Sequence, residues 1–578
     1  MTHYTNEKQA QVVIALLKAH GIRRVIASPG TTNMAFVASV QTDPFFEMYS
    51  AVDERSAAYM ACGLAAETGE PVVISCTGAT ASRNYLPGLT EAFYRKLPIL
   101  ALTSTQIQAG VGQHVAQVID RSTTSPDVVK LSVHLPVVHD VDQVWECEIK
   151  VNRAILELTR RGGGPAHINL PTTYSRDFTA KTLPEYRKIN RWTADDDLPK
   201  LSGRVAVFVG AHNTFTDGET AAIERFCEVN DAVVFCDHSS GYYGKYRVQS
   251  ALLGGQEWTN HSAIAPDTVI HIGEVSGDYE THKIPRKIVW RVNPDGEIRD
   301  SFRRLRHLFE MSEQRFFELY SQGEKASGTS YYETCRKLLE QKRSLVPDLP
   351  FSNLWIASQF ASQVPTGSVV HFAILNSLRA WNFFDLPEGV RSASNTGGFG
   401  IDGCMSTLIG AALANPDKLF YLVIGDLAFF YDMNALGNRH LGNNVRILLV
   451  NNGKGTEFTQ HNHAGSLLGN QAESFIAASG HFGEKSPELV KGYVEALGLE
   501  YLSFTAKAQS AAIAERLFGT EMRNAPMLVE AFVDSSDESE ALEMIKNLQP
   551  TRSGGAKRRL KKAIGPAKFQ ALKRKLGK

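Results

Sequence analysis

Apolar positions along the chain switch between two periods, and the switching predicts the elements. Residues 6–20 carry the spaced apolar stripe of an amphipathic helix. Residues 23–28 (RRVIAS) form a short apolar run that stops at Pro29-Gly30. The Ala- and Met-rich stretch 56–66 predicts a helix, PVVISCTG (71–78) a strand, 87–94 a helix and PILALTS (98–104) another strand. Strands that are apolar on both faces and alternate with helices predict a parallel, doubly wound sheet. The pattern pauses over 178–200, a polar segment with Pro184 and Pro199 that reads as a linker. A second strand series follows in RVAVFVGA (204–211), AVVFCD (232–237), DTVIHIGE (267–274) and KIVWRVN (287–293). Residues 300–343 read as charged and helical, and 345–350 (LVPDLP) as a second boundary. The last third alternates again through GSVVHFA (367–373), the turn TGGFGIDG (396–403), KLFYLVIGD (418–426) and NVRILLVNN (444–452). The expected class is α/β: three doubly wound parallel-sheet domains over 1–180, 200–343 and 350–550, then a tail over 551–578.

Composition narrows the class of protein. A chain of 578 residues is too long for one core, since single cores stop growing at roughly 250–300 residues. Charged residues at 21% and hydrophobic ones at 43% suit an ordinary globular protein. No apolar run reaches the ~18 residues of a membrane span, and the polar N-terminus lacks a secretion signal. The seven cysteines are scattered without a CxxC pair, which predicts a reducing cytoplasm, no zinc site and no disulfide framework. Charge is uneven: residues 552–578 hold 11 of the 61 basic side chains and no acidic one. The body is therefore acidic and repels nucleic acid. The tail sets Leu560, Ile564, Phe569, Leu572 and Leu576 among Lys and Arg. That reads either as a peripheral contact with an anionic membrane surface or as a solubilising tail.

The chemistry concentrates at Gly425-Asp426-Leu427, followed after 23 residues by Asn451-Asn452. Each half ends an apolar strand, and ligands bind at that edge of a parallel sheet. Asn434-Ala435-Leu436 reads as part of the crossover helix, so the two strands are neighbours and the Asp and Asn oxygens come together. A carboxylate plus an amide carbonyl suits magnesium that also takes phosphate oxygens. Gly425 lets the backbone approach such a ligand closely. The bland alternative is an Asp and an Asn that merely end two strands.

This pair resembles the signature of the thiamine diphosphate-dependent 2-oxo acid decarboxylases and carboligases. With Leu427 in place of the usual third glycine, it is most similar to the menaquinone-pathway branch that joins 2-oxoglutarate to isochorismate, the SEPHCHC synthases. Other segments agree: Ser28-Pro29-Gly30, Asp53-Glu54-Arg55-Ser56, Thr77-Gly78, Gln117 ahead of Asp120, the 164–171 strand GPAHINLP, Ser394-Asn395 and Gly400-Ile401-Asp402-Gly403. The resemblance implies thiamine diphosphate and Mg2+ as cofactors. It implies metal ligation by Asp426, the Asn452 amide oxygen and the Lys454 carbonyl. It implies cofactor contacts from Gly30, Thr77, Gly78, Asn376, Ser377, Gly400, Ile401, Gly425 and Leu427, with Ile401 propping the bent cofactor. Glu54 would be the activating acid, exchanging a proton with the aminopyrimidine ring nitrogen, and Gln117 would stand beside it. In the family the glutamate and the metal site come from different subunits, which implies a homodimer or homotetramer.

The resemblance breaks at the substrate. The SEPHCHC synthases hold carboxylate-rich substrates with arginines, which pair with carboxylates bidentately. At the matching positions stand Thr32, Gln106, Trp381 and Thr396, with Arg379 displaced by two from one of them. Thr31, Thr32, Gln106, His114, Thr396, Glu457 and His461 are the candidate substrate contacts. Glu457, His461 and His463 are read on a mobile loop, where a histidine can act as acid or base. The expected function is decarboxylation of a 2-oxo acid donor and transfer of its acyl group to an acceptor. The basic tail resembles those of some surface-polysaccharide enzymes and suggests that setting. The alternatives are the SEPHCHC step itself, simple decarboxylation, and an inactive cofactor-binding scaffold.

Overall fold

The computed structural model describes residues 2–121, 124–326 and 330–549, together with Leu560 and Ala563. The rest of the basic tail lies outside the described residues. The chain divides into two compact units: 1–193 with 296–310, and 194–295 with 311 onward.

The first unit is built on a six-stranded sheet of β1 (Arg24–Ala27), β2 (Glu47–Ser50), β3 (Val72–Cys76), β4 (Ile99–Thr105), β5 (Leu131–His134) and β6 (Ala166–Pro171). Their order is β2-β1-β3-β4-β6-β5, and every pairing is parallel. Side chains alternate between the faces of a strand. Val25, Val73 and Leu100 accordingly join a core with the helices Lys8–Ala19 and Val141–Glu157. Ile26, Ile74 and Ala101 join the opposite core, with the helices Glu54–Thr68 and Leu86–Arg95. Burial on both faces explains why β3 and β4 have no exposed position.

Two expectations are corrected here. The 178–200 segment contains a strand, β7 (Asn190–Trp192), and is anchored where Arg187 pairs with Glu148 at 3.0 Å and Asp300 at 2.7 Å.

In the second unit β8 (Val205–Val209), β9 (Val233–Cys236), β10 (Arg247–Gln249), β11 (Thr268–Ile272) and β12 (Ile288–Asn293) run in the order β10-β9-β8-β11-β12. Residues 300–343 are not wholly helical: β13 (Leu305–Glu310) precedes the helices Glu313–Leu319 and Ser330–Arg343. Within the first unit β13 pairs in parallel with β7. Its charge does not mark a helix surface, because Glu310 is neutralised by Arg160 at 3.2 Å and Arg161 at 2.9 Å.

The second unit ends in another parallel six-stranded sheet, β15-β14-β16-β17-β19-β18. Its strands are β14 (Val369–Phe372), β15 (Arg391–Ser394), β16 (Phe420–Gly425), β17 (Val445–Asn451), β18 (Glu500–Phe504) and β19 (Met527–Phe532). All seven cysteines are free and buried. Among the described residues no helix is long and apolar enough to cross a membrane.

Candidate active site

The two halves of the Asp–Asn pair meet as the spacing predicts. β16 and β17 are parallel neighbours with Gly425 opposite Val450, so Asp426 and Asn452 leave the same sheet edge. Asp426 begins the helix Asp426–Asp432 and is 5% exposed. Its carboxylate accepts from the Leu427 amide at 2.9 Å and the Gly453 amide at 2.6 Å, which ties the two strand ends together. Burial pushes the Asp426 carboxyl up to about 6, against those hydrogen bonds. A divalent cation would supply the counter-charge that this burial lacks. Asn452 donates from Nδ2 to Thr456 Oγ1 at 3.3 Å, which orients the amide.

Among the described residues no group of three His, Cys, Asp or Glu side chains is arranged to hold a metal alone. Two side-chain oxygens plus the Lys454 carbonyl are what a magnesium ion takes when phosphate and water complete its shell. Space for that phosphate is present: a Cβ built on Gly425 meets no heavy atom within 4 Å. The residues therefore fit a diphosphate–metal group. Asn376 is drawn in by donating to Thr456 Oγ1 at 3.0 Å, and the next residue, Ser377, is buried. Ile401 packs at the edge of the sheet's core, and Gly400 lies against the Asp402 carboxylate. The Lys454 ammonium is held by Glu473 at 2.7 Å.

The first unit gathers the other set at the C-terminal edge of adjacent strands. Gly30 follows β1, Glu54 follows β2, Thr77 and Gly78 follow β3, and Gln106 follows β4. Asp53 caps the helix Glu54–Thr68 by accepting from the Arg55 and Ser56 amides, at 3.2 and 3.3 Å. That fixes Glu54 at the first helical position. Arg55 lies nearest Asp53, at 4.0 Å, and Glu54 has no ion pair among the described residues. Gly30 is required by packing, since a Cβ there would fall 2.7 Å from Thr77 Cβ. Gln117 lies beside Gly78, its carbonyl 3.0 Å from where a Gly78 Cβ would be. Ala79, His114, Gln117, Leu375 and Phe399 all hold positive φ. Such strain, of order 1–3 kcal/mol per residue, clusters at functional loops.

The candidate substrate residues are not one set. Thr31 and His114 are exposed, and Gln106 is half-buried. Thr32 is buried, with its hydroxyl bonded to that of Thr77. Thr396 and Trp381 are also buried, at 5% and 1% exposure. The 456–472 segment, expected as a mobile loop, is wound into the 3-10 helices Thr456–Thr459 and Ala464–Ala472. His461 lies 3.5 Å from Glu257, and His463 accepts from the Gly465 amide at 3.0 Å. Glu457 is paired with Arg379 at 2.6 Å, and that guanidinium lies over the Tyr279 ring. These three residues and Asn376 line a cavity of about 220 Å3 that also holds Lys283 and Lys546.

Sequence reasoning missed Thr456 and Glu538. Thr456 accepts from both Asn376 and Asn452. Glu538 is buried, accepts from the Asn353 amide at 3.0 Å and reaches the Asn452 amide. Burial, with the Asp426 charge adding, pushes Glu538 up to about 7. The Thr456 position follows the Asn452 turn closely enough to be suspected, whereas nothing in the sequence marks Glu538.

The thiamine pyrophosphate enzyme N-terminal TPP binding domain matches residues 7–124, and the C-terminal TPP binding domain matches residues 376–531. A Phocaeicola vulgatus protein named 2-succinyl-5-enolpyruvyl-6-hydroxy-3-cyclohexene-1-carboxylate synthase is 31% identical over 564 residues, covering 93% of this chain and 98% of that one. Proteins of the same name from Bacteroides thetaiotaomicron and Desulfotalea psychrophila are 29% and 28% identical, over 93% and 89% of this chain and 98% and 96% of theirs. The protein is thus a thiamine diphosphate- and divalent metal-dependent enzyme, and it belongs to the thiamine pyrophosphate enzyme family beside these synthases.

Proposed function

We propose that this enzyme decarboxylates a 2-oxo acid and adds the acyl fragment to an enone acceptor, as in the SEPHCHC synthase step. The observation that carries the reading is the Asp426–Asn452 edge with open space at Gly425, in a chain whose relatives of that name align over nearly their whole length. The cofactor supplies the electron sink that decarboxylation needs. Asp426, Asn452 and the Lys454 carbonyl hold the metal. Glu54 would exchange a proton with the cofactor's ring nitrogen. Arg379, with Tyr279 beneath it, is a cation in the 220 Å3 cavity next to Asn376 that can take a substrate carboxylate. The relatives' names favour this step over a role in surface-polysaccharide assembly.

A second reading keeps the chemistry and changes the substrates. It is favoured by Thr32, Trp381 and Thr396, which fill three arginine positions with buried side chains. One experiment separates the two. The protein with Mg2+ and thiamine diphosphate is given 2-oxoglutarate or pyruvate, and carbon dioxide is measured with and without isochorismate. Turnover of 2-oxoglutarate with an adduct of the expected mass supports the first reading. Preference for pyruvate selects the second, and no release from a wide panel of 2-oxo acids refutes both.

The working form is proposed to be a homodimer with Glu54 and Asp426 supplied by different subunits. Val52, Tyr59 and Met60, exposed just before Glu54 and on the helix it begins, support a covered face there. Mixing Glu54→Gln with Asp426→Ala subunits should restore activity that neither has alone; failure of an exchanged mixture to do so removes the proposal.

A further inference from the structure

The first unit contains a cavity of about 560 Å3 that none of the roles above uses. Leu86, Leu89, Val128 and Val129 make one side of it apolar. The other side carries Arg121 and Arg83. Arg121 is 8% exposed. Among the described residues its Nη2 reaches only the Ser104 carbonyl, at 3.4 Å, and its Nη1 is buried without a hydrogen-bond partner. Among the described residues no carboxylate pairs with it. Burial lowers Arg121 to about 10; Cys76 opposes that shift and Arg83 adds to it. The other titratable groups on the lining are Tyr85, His167 and the carboxylate of Asp120. His167 spends both ring nitrogens on Thr103 and Ser132, at 2.7 and 2.8 Å, and burial drops it to about 3. Asp120 lines the rim, exposed, and its carbonyl accepts from Arg83 at 3.4 Å.

A guanidinium does not shed its proton in a protein, so burying one without a counter-ion is costly. A buried donor left unpaired calls for a partner. Here the partner's place is a cavity that is cationic at one side and apolar at the other. We propose that this cavity binds an amphipathic carboxylate, its anionic end on Arg121 and its ring or chain on Leu86, Leu89, Val128 and Val129. The site backs onto the cofactor turn, since Arg121 Nη1 lies 3.6 Å from where a Gly78 Cβ would be. It does not depend on which reaction the enzyme performs.

The test uses the full chain loaded with thiamine diphosphate and Mg2+, titrated with benzoate, acetate and inorganic phosphate by calorimetry and ligand-observed NMR. Benzoate should bind saturably at one site per chain, at least tenfold tighter than acetate or phosphate. Arg121→Gln should weaken it at least tenfold. Ser125→Trp, made at an exposed position on the rim, should block entry to a similar degree without disturbing the core, so the proposal stays testable if Arg121→Gln folds poorly. Arg83→Gln should cost a few-fold. Absence of saturable benzoate binding overturns the proposal. So does benzoate binding that Ser125→Trp and the arginine variants leave unchanged. Equal binding of acetate, phosphate and benzoate would mean a bare-anion site and overturns the amphipathic ligand.

Discussion

Gly425→Ala separates cofactor binding from folding more cleanly than removal of a metal ligand. Gly425 has φ −82° and ψ 163°, an extended conformation that alanine adopts without strain. The added methyl would meet no heavy atom within 4 Å, so the cofactor-free protein has no reason to resist it. Restricting the unfolded chain should even stabilise the fold, by about 0.4–1 kcal/mol. The same space is where the diphosphate must approach the backbone beside Asp426. Losing one hydrogen bond to that charged group would cost about 1.5–3 kcal/mol, or roughly a ten- to hundredfold rise in Kd. Calorimetry without ligand should show an unchanged or slightly raised Tm. Titration of thiamine diphosphate at saturating Mg2+, followed by tryptophan fluorescence, should show the weaker binding. Unchanged affinity in a normally folded variant would refute the placement of the diphosphate. Gly30→Ala is the contrasting case: its Cβ would fall 2.7 Å from Thr77 Cβ, so stability itself should drop, by about 1–3 kcal/mol.

Glu54→Gln should lower carbon dioxide release by about a hundredfold or more while leaving the Kd for thiamine diphosphate within a few-fold, because Glu54 holds no ion pair among the described residues that the change would break. Chelation with EDTA should release the cofactor from the wild type, and Mg2+ should restore binding; an Asp426→Ala variant should not recover at the same Mg2+ concentration. Burial holds His371 down at about 4, so between pH 6.5 and 4 the unfolded chain binds the proton that the folded chain refuses. His371 therefore contributes stability above pH 6.5 that is lost as pH falls through this window, by up to about 1.4 kcal/mol per pH unit. Asp278, which burial and the Asp237 charge raise to about 7, works in the opposite sense. The measurable quantity is thus a difference: the gap in stability between wild type and His371→Gln should shrink on acidification, and a constant gap would contradict the assignment. Trp381→Arg should destabilise by about 3 kcal/mol or more, since it buries a charge without a partner; a Tm equal to wild type would show that the side chain escapes to the pocket.

The fold was legible where strands are buried on both faces. LFYLVIG and VRILLVN leave no doubt in a sequence because no solvent-facing position interrupts them, and Asp426 and Asn452 follow directly from where those runs stop. The edge strands β2 (EMYS) and β15 (RSAS) have no buried position in their patterns, so no apolar run announces them. β13 hid because its Glu310 is paired with Arg160 and Arg161, partners far away in sequence. Glu538 hid for a related reason: it arrives from the helix Ser535–Ile545, beyond the last strand, and only packing brings it to Asn452.

The missing arginines need the same distinction between what a position holds and where it points. Counting letters suggests a pocket stripped of cations. The structure shows instead that Trp381 and Thr396 belong to packed interior, while Arg379, two residues from the matching position, lines the cavity with Asn376. Its charge is balanced by Glu457 at 2.6 Å and its flat face by Tyr279. A substrate carboxylate can replace Glu457 on that guanidinium without leaving a new buried charge unpaired, provided Glu457 can turn toward solvent. Arg379 thus leaves a cation in the cavity beside Asn376, and the proposed recognition of a substrate carboxylate rests on it.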